Sequence, residues 1–233
     1  AYVNHKFGER VSVKAGRFGQ MMGAGLAYDD AFDGVQFNAG NDKVNFQAAY
    51  GYAIKGDAFK TLTQDKNPEL VVANLNGKVG KHANVGGFYT RVNGEDLKSP
   101  ASAKAYKNIY GFNTDFNFDK VWVGGEWLKA SNVDKSQAWT AGVGFGNYNQ
   151  AKQGTWDVKA QYFNQKANAP IVDTTWNHGY DKSYTQNAKG WMATVDYALQ
   201  NNVGLSAYYG FDWKTQNGTD KNDFYRADLN YKF

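Results

Sequence analysis

A chain of 233 residues has room for one large all-β domain, and its mean hydropathy of −0.66, with no apolar run near the roughly 18–20 residues a membrane helix needs, excludes a helical membrane protein. Its formal charge of +4 comes from 26 basic and 22 acidic residues scattered along the chain, which excludes a nucleic-acid-binding patch. Cysteine is absent, so there is no disulfide framework, thiolate metal site or cysteine nucleophile.

Sixteen Tyr, 15 Phe, 7 Trp and 26 Gly beside only 3 Pro suit many strands joined by turns. The chain opens at Ala1 with no initiator Met, charged n-region or apolar h-region, and so reads as a processed or truncated chain. The first segment, Ala1 to Phe7, meets the second, Val11 to Phe18, across Gly8-Glu9-Arg10. A long Gly-rich connection from Gly19 to Gly34 follows, carrying Met21, Met22, Asp29, Asp30 and Asp33. The third segment, Val35 to Ala39, and the fourth, Val44 to Tyr52, flank the turn Gly40-Asn41-Asp42; Val44, Phe46, Ala48, Tyr50 and Tyr52 alternate with Asn45, Gln47, Ala49 and Gly51.

After a polar loop with Pro68, the fifth segment alternates Val71, Ala73 and Leu75 with Asn74, Asn76 and Lys78; the sixth has Val85, Gly87 and Tyr89. Beyond a loop with Pro100, the seventh sets Tyr110, Phe112, Phe116 and Phe118 against Asn113 and Asp115, and the eighth carries Val121, Val123 and Trp127. The ninth centres on Trp139, Ala141, Val143 and Phe145, and the tenth sets Trp156, Val158, Ala160 and Tyr162 against Asp157, Lys159 and Gln161. The longest connection, Ala167 to Lys189, holds Pro170, Trp176 and His178. The eleventh pairs Trp191, Ala193, Val195, Tyr197 and Leu199 against Thr194 and Asp196; the twelfth runs Val203, Leu205, Ala207, Tyr209, Phe211 and Trp213 on one parity. The thirteenth, Asp223 to Phe233, puts Tyr225, Ala227, Leu229, Tyr231 and Phe233 on one side and Arg226, Asp228, Asn230 and Lys232 on the other.

A period of two over so many segments requires strands with one apolar-aromatic face and one charged face, in a soluble sandwich or a membrane barrel. A sandwich would bury aliphatic residues between its sheets. Here aromatics gather at strand ends, as interfacial girdles do, with Trp156, Trp191, Trp213, Tyr231 and Phe233 as lipid-facing candidates. The other face is too charged to pack dry: Lys14, Lys78, Asp115, Glu126, Lys159, Asp196, Asp212, Lys214, Arg226, Asp228 and Lys232 call for a wide, water-filled interior. Short turns alternate with long loops, as in outer-membrane barrels, and all three prolines fall in long loops. Arg17 has lipid-facing parity, so a bulge or a position beyond the hydrocarbon is expected there. His5, His82 and His178 have no ligand spacing, and no metal or cofactor site is expected.

The run Val13-Lys14-Ala15-Gly16-Arg17-Phe18, the Gly- and Asp-containing stretch after it, and Gly34-Val35-Gln36-Phe37 resemble the strand, constriction loop and strand of the trimeric general porins, and Tyr231-Lys232-Phe233 is similar to their aromatic-ending last strand. Within that superfamily the wording most resembles barrels joined to an N-terminal S-layer-homology domain. The resemblance implies an antiparallel transmembrane β-barrel in the bacterial outer membrane, with about 13 of 16 strands visible and about three N-terminal strands lacking. It implies a homotrimer contacting membrane lipids and lipopolysaccharide, with a last strand presented to the barrel-assembly machinery. In function it implies passive diffusion of small hydrophilic solutes and ions, not enzymatic chemistry. Asp29, Asp30 and Asp33 would form the acidic side of a constriction loop over 19–34, facing a basic wall of Lys14, Lys78, Lys159 and Arg226. The alternatives are a barrel enzyme, for which His178 near Asp173 is the sole faint candidate, and a structural or adhesin barrel with a blocked pore.

Overall fold

The computed structural model describes residues 1–54, 67–174 and 184–232. Its strands are β1 (Tyr2–Phe7), β2 (Val11–Met22), β3 (Tyr28–Gly40), β4 (Val44–Ala53), β5 (Glu69–Val79), β6 (Ala83–Asn93), β7 (Asn108–Phe118), β8 (Val121–Ala130), β9 (Ala138–Gly146), β10 (Trp156–Gln165), β11 (Ala188–Gln200), β12 (Val203–Thr215) and β13 (Phe224–Tyr231). They form one 13-stranded antiparallel meander in which each strand pairs with its sequence neighbours. Thirteen alternating segments thus become thirteen strands, with strands that follow each other in sequence lying side by side.

A single sheet has nothing to pack against, yet one of its faces is buried. On β5, Leu70, Val72 and Asn74 are almost fully covered while Val71 and Leu75 are exposed; on β8, Gly124, Glu126 and Leu128 are covered while Val121 and Val123 are not. Burial on one face of a lone sheet requires the sheet to curl around that face. The exposed side is the apolar one: Val35, Phe37, Phe46, Tyr50, Leu75, Phe112, Val143, Val195 and Leu229 all lie outward. A protein folded for water has the opposite arrangement.

The outward rows are banded. Near the loop end, Tyr110 and Trp127 pack in a tilted pair at 6.0 Å, Trp127 is in register with Trp139, and Trp139–Tyr162 and Tyr162–Trp191 follow at 5.5 and 5.1 Å. Near the turn end, Phe145 packs on Trp156 at 6.1 Å, and Trp156 is in register with Tyr197. From Tyr162 to Trp156 is six residues, about 20 Å of strand at ~3.3 Å per residue. Between the belts the outward positions of β4 to β13 hold no Asp, Glu, Lys or Arg.

One girdle assignment is corrected. Trp156, Trp191 and Tyr231 point outward, but Trp213 is 1% exposed and lies inside. Between Lys189↔Lys214 and Trp191↔Phe211, β12 carries one residue more than β11, a bulge that resets the parity. Asp212 takes the extra position at φ 52°, a left-handed conformation that Asp tolerates better than most residues. The bulge turns Trp213 inward over Gly190, where a Cβ would sit 2.5 Å from the indole, and Trp213 Nε1 donates to the Trp191 carbonyl at 2.9 Å. It also removes Asp212 from the inner row; Asp212 instead pairs with Lys214 at 2.8 Å. Trp213→Ala is expected to cost about 3–5 kcal/mol, read as a lowered urea midpoint, because it empties a fully packed site. Phe233 lies outside the described residues.

Candidate functional site

The interior divides into two halves of different chemistry. Toward the turns the inner row is polar and charged. Lys14 lies over the Tyr2 ring at 5.6 Å; Lys159 sits between Asp157 (3.3 Å) and Asp196 (3.9 Å); Arg226 bonds Asp228 at 2.8 Å; and Asp115 accepts from Asn84 and Asn117. Lys78 and Lys232 share the parity of these inner rows. Ser206 donates to Asp196 at 2.5 Å. Asp157 and Asp196 are direct cross-strand partners, so Lys159 offsets a like-charge opposition.

Toward the loops the interior is apolar and packed. Leu26, Ala27, Tyr28, Leu97, Tyr106, Ile171, Val172, Tyr184 and Trp213 are buried together with inward side chains of the strands, among them Phe18, Phe32, Phe88, Ile109 and Phe163. The connections interlock: Tyr106 Oη donates to the Asn168 carbonyl at 2.7 Å, Ala101 N to Asn168 Oδ1 at 3.1 Å, and Tyr184 Oη to the Asn222 carbonyl at 2.6 Å. Burial holds the Tyr106 phenol above its ordinary titration range, so it remains a donor. The expected wide, water-filled interior is therefore confined to the turn half.

The connection expected over 19–34 is shorter than the sequence suggests. β2 runs on to Met22 and β3 begins at Tyr28, leaving only residues 23–27 between them. That tip nevertheless folds inward. An amide ladder starts it: Gln36 donates to Gln20, Gln20 to Gln47, and Asn74 to Gln47, each at 2.8 Å, while Asn74 Oδ1 accepts Gly23 N at 3.1 Å. Across the interior, Glu126 of β8 accepts Ala24 N at 3.0 Å and Leu26 N at 2.9 Å. The 166–174 segment after β10 docks on the same tip, with Val172 N on the Ala27 carbonyl at 2.8 Å and Asp29 N on the Asp173 carbonyl at 2.7 Å. Glu126 is thus the latch of a crossbar spanning β2 to β8.

The three aspartates part company. Asp30 shares the inward parity of Gln20, its register partner, and accepts Ala31 N at 2.6 Å. Asp29 and Asp33 have the outward parity of Val35 and Phe37. Asp33 faces Arg17 in register, and the two make a bidentate pair at 2.7 and 2.6 Å. Arg17 therefore keeps its outward parity without a bulge, at the loop-side rim and neutralised by Asp33. Removing either partner alone is expected to lower stability in lipid vesicles more than Arg17→Ala with Asp33→Ala together, a sign readable in a double-mutant cycle.

The sequence reading misses Trp122. It lies on the inward parity of β8, and its six-membered ring covers the positions side chains would take at Gly124 (2.6 Å) and Gly144 (3.5 Å). His178 and Trp176 lie outside the described residues. His82 contacts the Asn117 carbonyl at 2.8 Å and stacks on Phe118 at 4.8 Å, both structural contacts.

No family model matches the sequence, and no curated protein matches it. The likeness is in the fold. Pseudomonas aeruginosa OccK11 (OpdR) superposes with a TM-score of 0.55 at 10% identity over 94% of this chain and 66% of that one. A mutant of the Rh. blastica porin gives 0.53 at 12% over 95% and 72%. A loop-deletion variant of OmpT, an outer membrane protein of Vibrio cholerae, gives 0.52 at 15% over 96% and 76%. The chain has the porin-type β-barrel fold. It spans just under two thirds of the length of OccK11.

Proposed function

We propose that this chain is the barrel portion of a porin in the outer membrane of a bacterium, passing small hydrophilic solutes and ions by passive diffusion. The observation that carries the reading is the inverted burial: a face turned outward that is aromatic-banded and, on β4 to β13, uncharged between its belts, and amides, lysines and carboxylates turned inward. Solute would enter through the polar turn half, and the β2–β3 tip with the 166–174 segment would set the narrowest passage. Asp30, Lys14, Lys78, Lys159, Asp196, Arg226, Asp228 and Lys232 are the charges proposed to tune ion selectivity.

Edge geometry supports closure by additional strands. Among the described residues β1 and β13 are both unpaired on one side and, being odd-numbered in a meander, run in the same direction. An antiparallel seam between them needs an odd number of further strands, and three would give the sixteen of a porin of common size. A homotrimer, lipid and lipopolysaccharide contacts, recognition of the last strand by the assembly machinery and tethering through an S-layer-homology domain belong to the same proposal.

The packed loop end favours a second reading, a structural barrel whose blocked interior conducts nothing. Planar bilayers separate the two. Stepwise ion-conducting insertions support the porin; an electrically silent membrane after verified insertion contradicts it, and lipid or peptide cleavage by the inserted protein would put a barrel enzyme in its place.

A further inference from the structure

We infer that the turn-side mouth carries a binding subsite for a neutral sugar ring. The inference rests on the channel reading and gives it a preferred solute. A cavity of about 350 Å3 opens there, and its inner-row lining is Asn45, Asn76, Lys78, Asn84, Asn113 and Asp115. Its size falls in the roughly 300–1,000 Å3 range of small-molecule sites. Four of these six side chains are primary amides, each able to donate and accept at once.

That composition suits hydroxyl groups better than ions. A site for an anion or a cation concentrates one sign of charge. Here the ammoniums of Lys43 and Lys78 and the carboxylates of Asp42 and Asp115 balance one another among five amides, and Asp115 is already held on Oδ2 by Asn84 (2.8 Å) and Asn117 (2.6 Å). Lys78 has no ion-pair partner among the described residues. The Asn113 carbonyl oxygen is buried without a hydrogen-bond partner among them, next to Asn76 over the space left by Gly86. A turn of the Asn113 side chain toward the cavity would give that oxygen a partner in a sugar hydroxyl.

The second element is aromatic. Asp115 is in register with Gly124, and the partly buried Trp122, just beyond the cavity lining, lies over Gly124 and Gly144. An inward tryptophan seated on glycines, in a row of amides and charges, offers a flat apolar face beside hydroxyl-binding groups. A pyranose has the matching pair of surfaces: an apolar C–H face to lie on the indole and a rim of hydroxyls to meet the amides.

Calorimetric titration of the detergent-solubilised full chain with maltotriose and with sucrose tests this. Millimolar binding is expected, weakened by at least about tenfold in Trp122→Ala and in Asn113→Ala and retained within about threefold in Trp122→Phe. Two alanine variants on different strands guard against one that fails to fold. The absence of sugar binding, unchanged binding in both alanine variants, or tighter binding of glutamate or phosphate than of either sugar overturns the inference. Bilayer conductance is read separately. A chain that conducts but binds no sugar overturns the subsite alone, and one that binds sugar without conducting overturns the channel and keeps the subsite.

Discussion

Glu126→Ala releases the tip of the β2–β3 hairpin from the far wall. The carboxylate accepts two backbone N–H groups, from Ala24 and Leu26, in a site where Glu126 is 4% exposed and Leu26 fully buried. Removing the acceptor strands two buried donors at roughly 1–3 kcal/mol each, so a total loss of about 2–6 kcal/mol is expected in urea unfolding from lipid vesicles. The tip is expected to become mobile as well. A cysteine placed at Ala24, in a chain that has none of its own, should react with a water-soluble maleimide many times faster in the Glu126→Ala background. In the channel reading the same variant conducts more. Glu126→Gln keeps one acceptor oxygen and should fall between the two.

The latch was half legible. Glu126 stands among charges on inward parity, but no spacing connects it to a hairpin 100 residues away. The limits of β2 and β3 were hidden for a related reason. Period-two alternation is readable only where the two faces meet different surroundings. After Phe18 the inner row meets the apolar filling of the loop half, so Gly19, Gln20, Met21 and Met22 show no contrast and the strand reads as ending four residues early. The same happens on the other limb from Tyr28 to Gly34. Over the turn half, where the interior is polar, the segments of β4, β5, β10, β11 and β13 alternate cleanly and their register follows.

Two further residues escaped for distinct reasons. Trp213 changes side through a one-residue bulge, which parity counting cannot see. Trp122 has the correct inward parity, but aromatic residues in such strands are expected on the outer face, and only its flanking Gly124 and Glu126 mark it as an exception. The period thus identified the architecture, while the packing that fills one end came from the connections, whose sequences carry no period.

Val143→Arg should be the most damaging surface substitution on the outer wall. Val143 is 57% exposed and lies between the belts, in register with Val123 and Ala160. A cation at mid-bilayer costs about 2–4 kcal/mol. In water an exposed Val→Arg change is close to neutral, roughly within 0.5 kcal/mol. Asn45→Arg, inward and solvated at the polar mouth, is the matched control and should leave stability nearly unchanged while shifting ion selectivity. Equal effects of the two would mean that the apolar face is not in lipid.

The central claim is that the apolar face contacts lipid while the polar face contacts water, and β4 tests it within one strand. Single cysteines at Val44, Asn45, Phe46, Gln47, Ala48 and Ala49, in the protein inserted in lipid vesicles, are exposed to a water-soluble maleimide. The account predicts labelling of period two, slow at Val44, Phe46 and Ala48 and fast at Asn45 and Gln47, with Ala49 slowed by the packing that buries it. Labelling as fast at Phe46 and Ala48 as at Asn45 and Gln47 would contradict it.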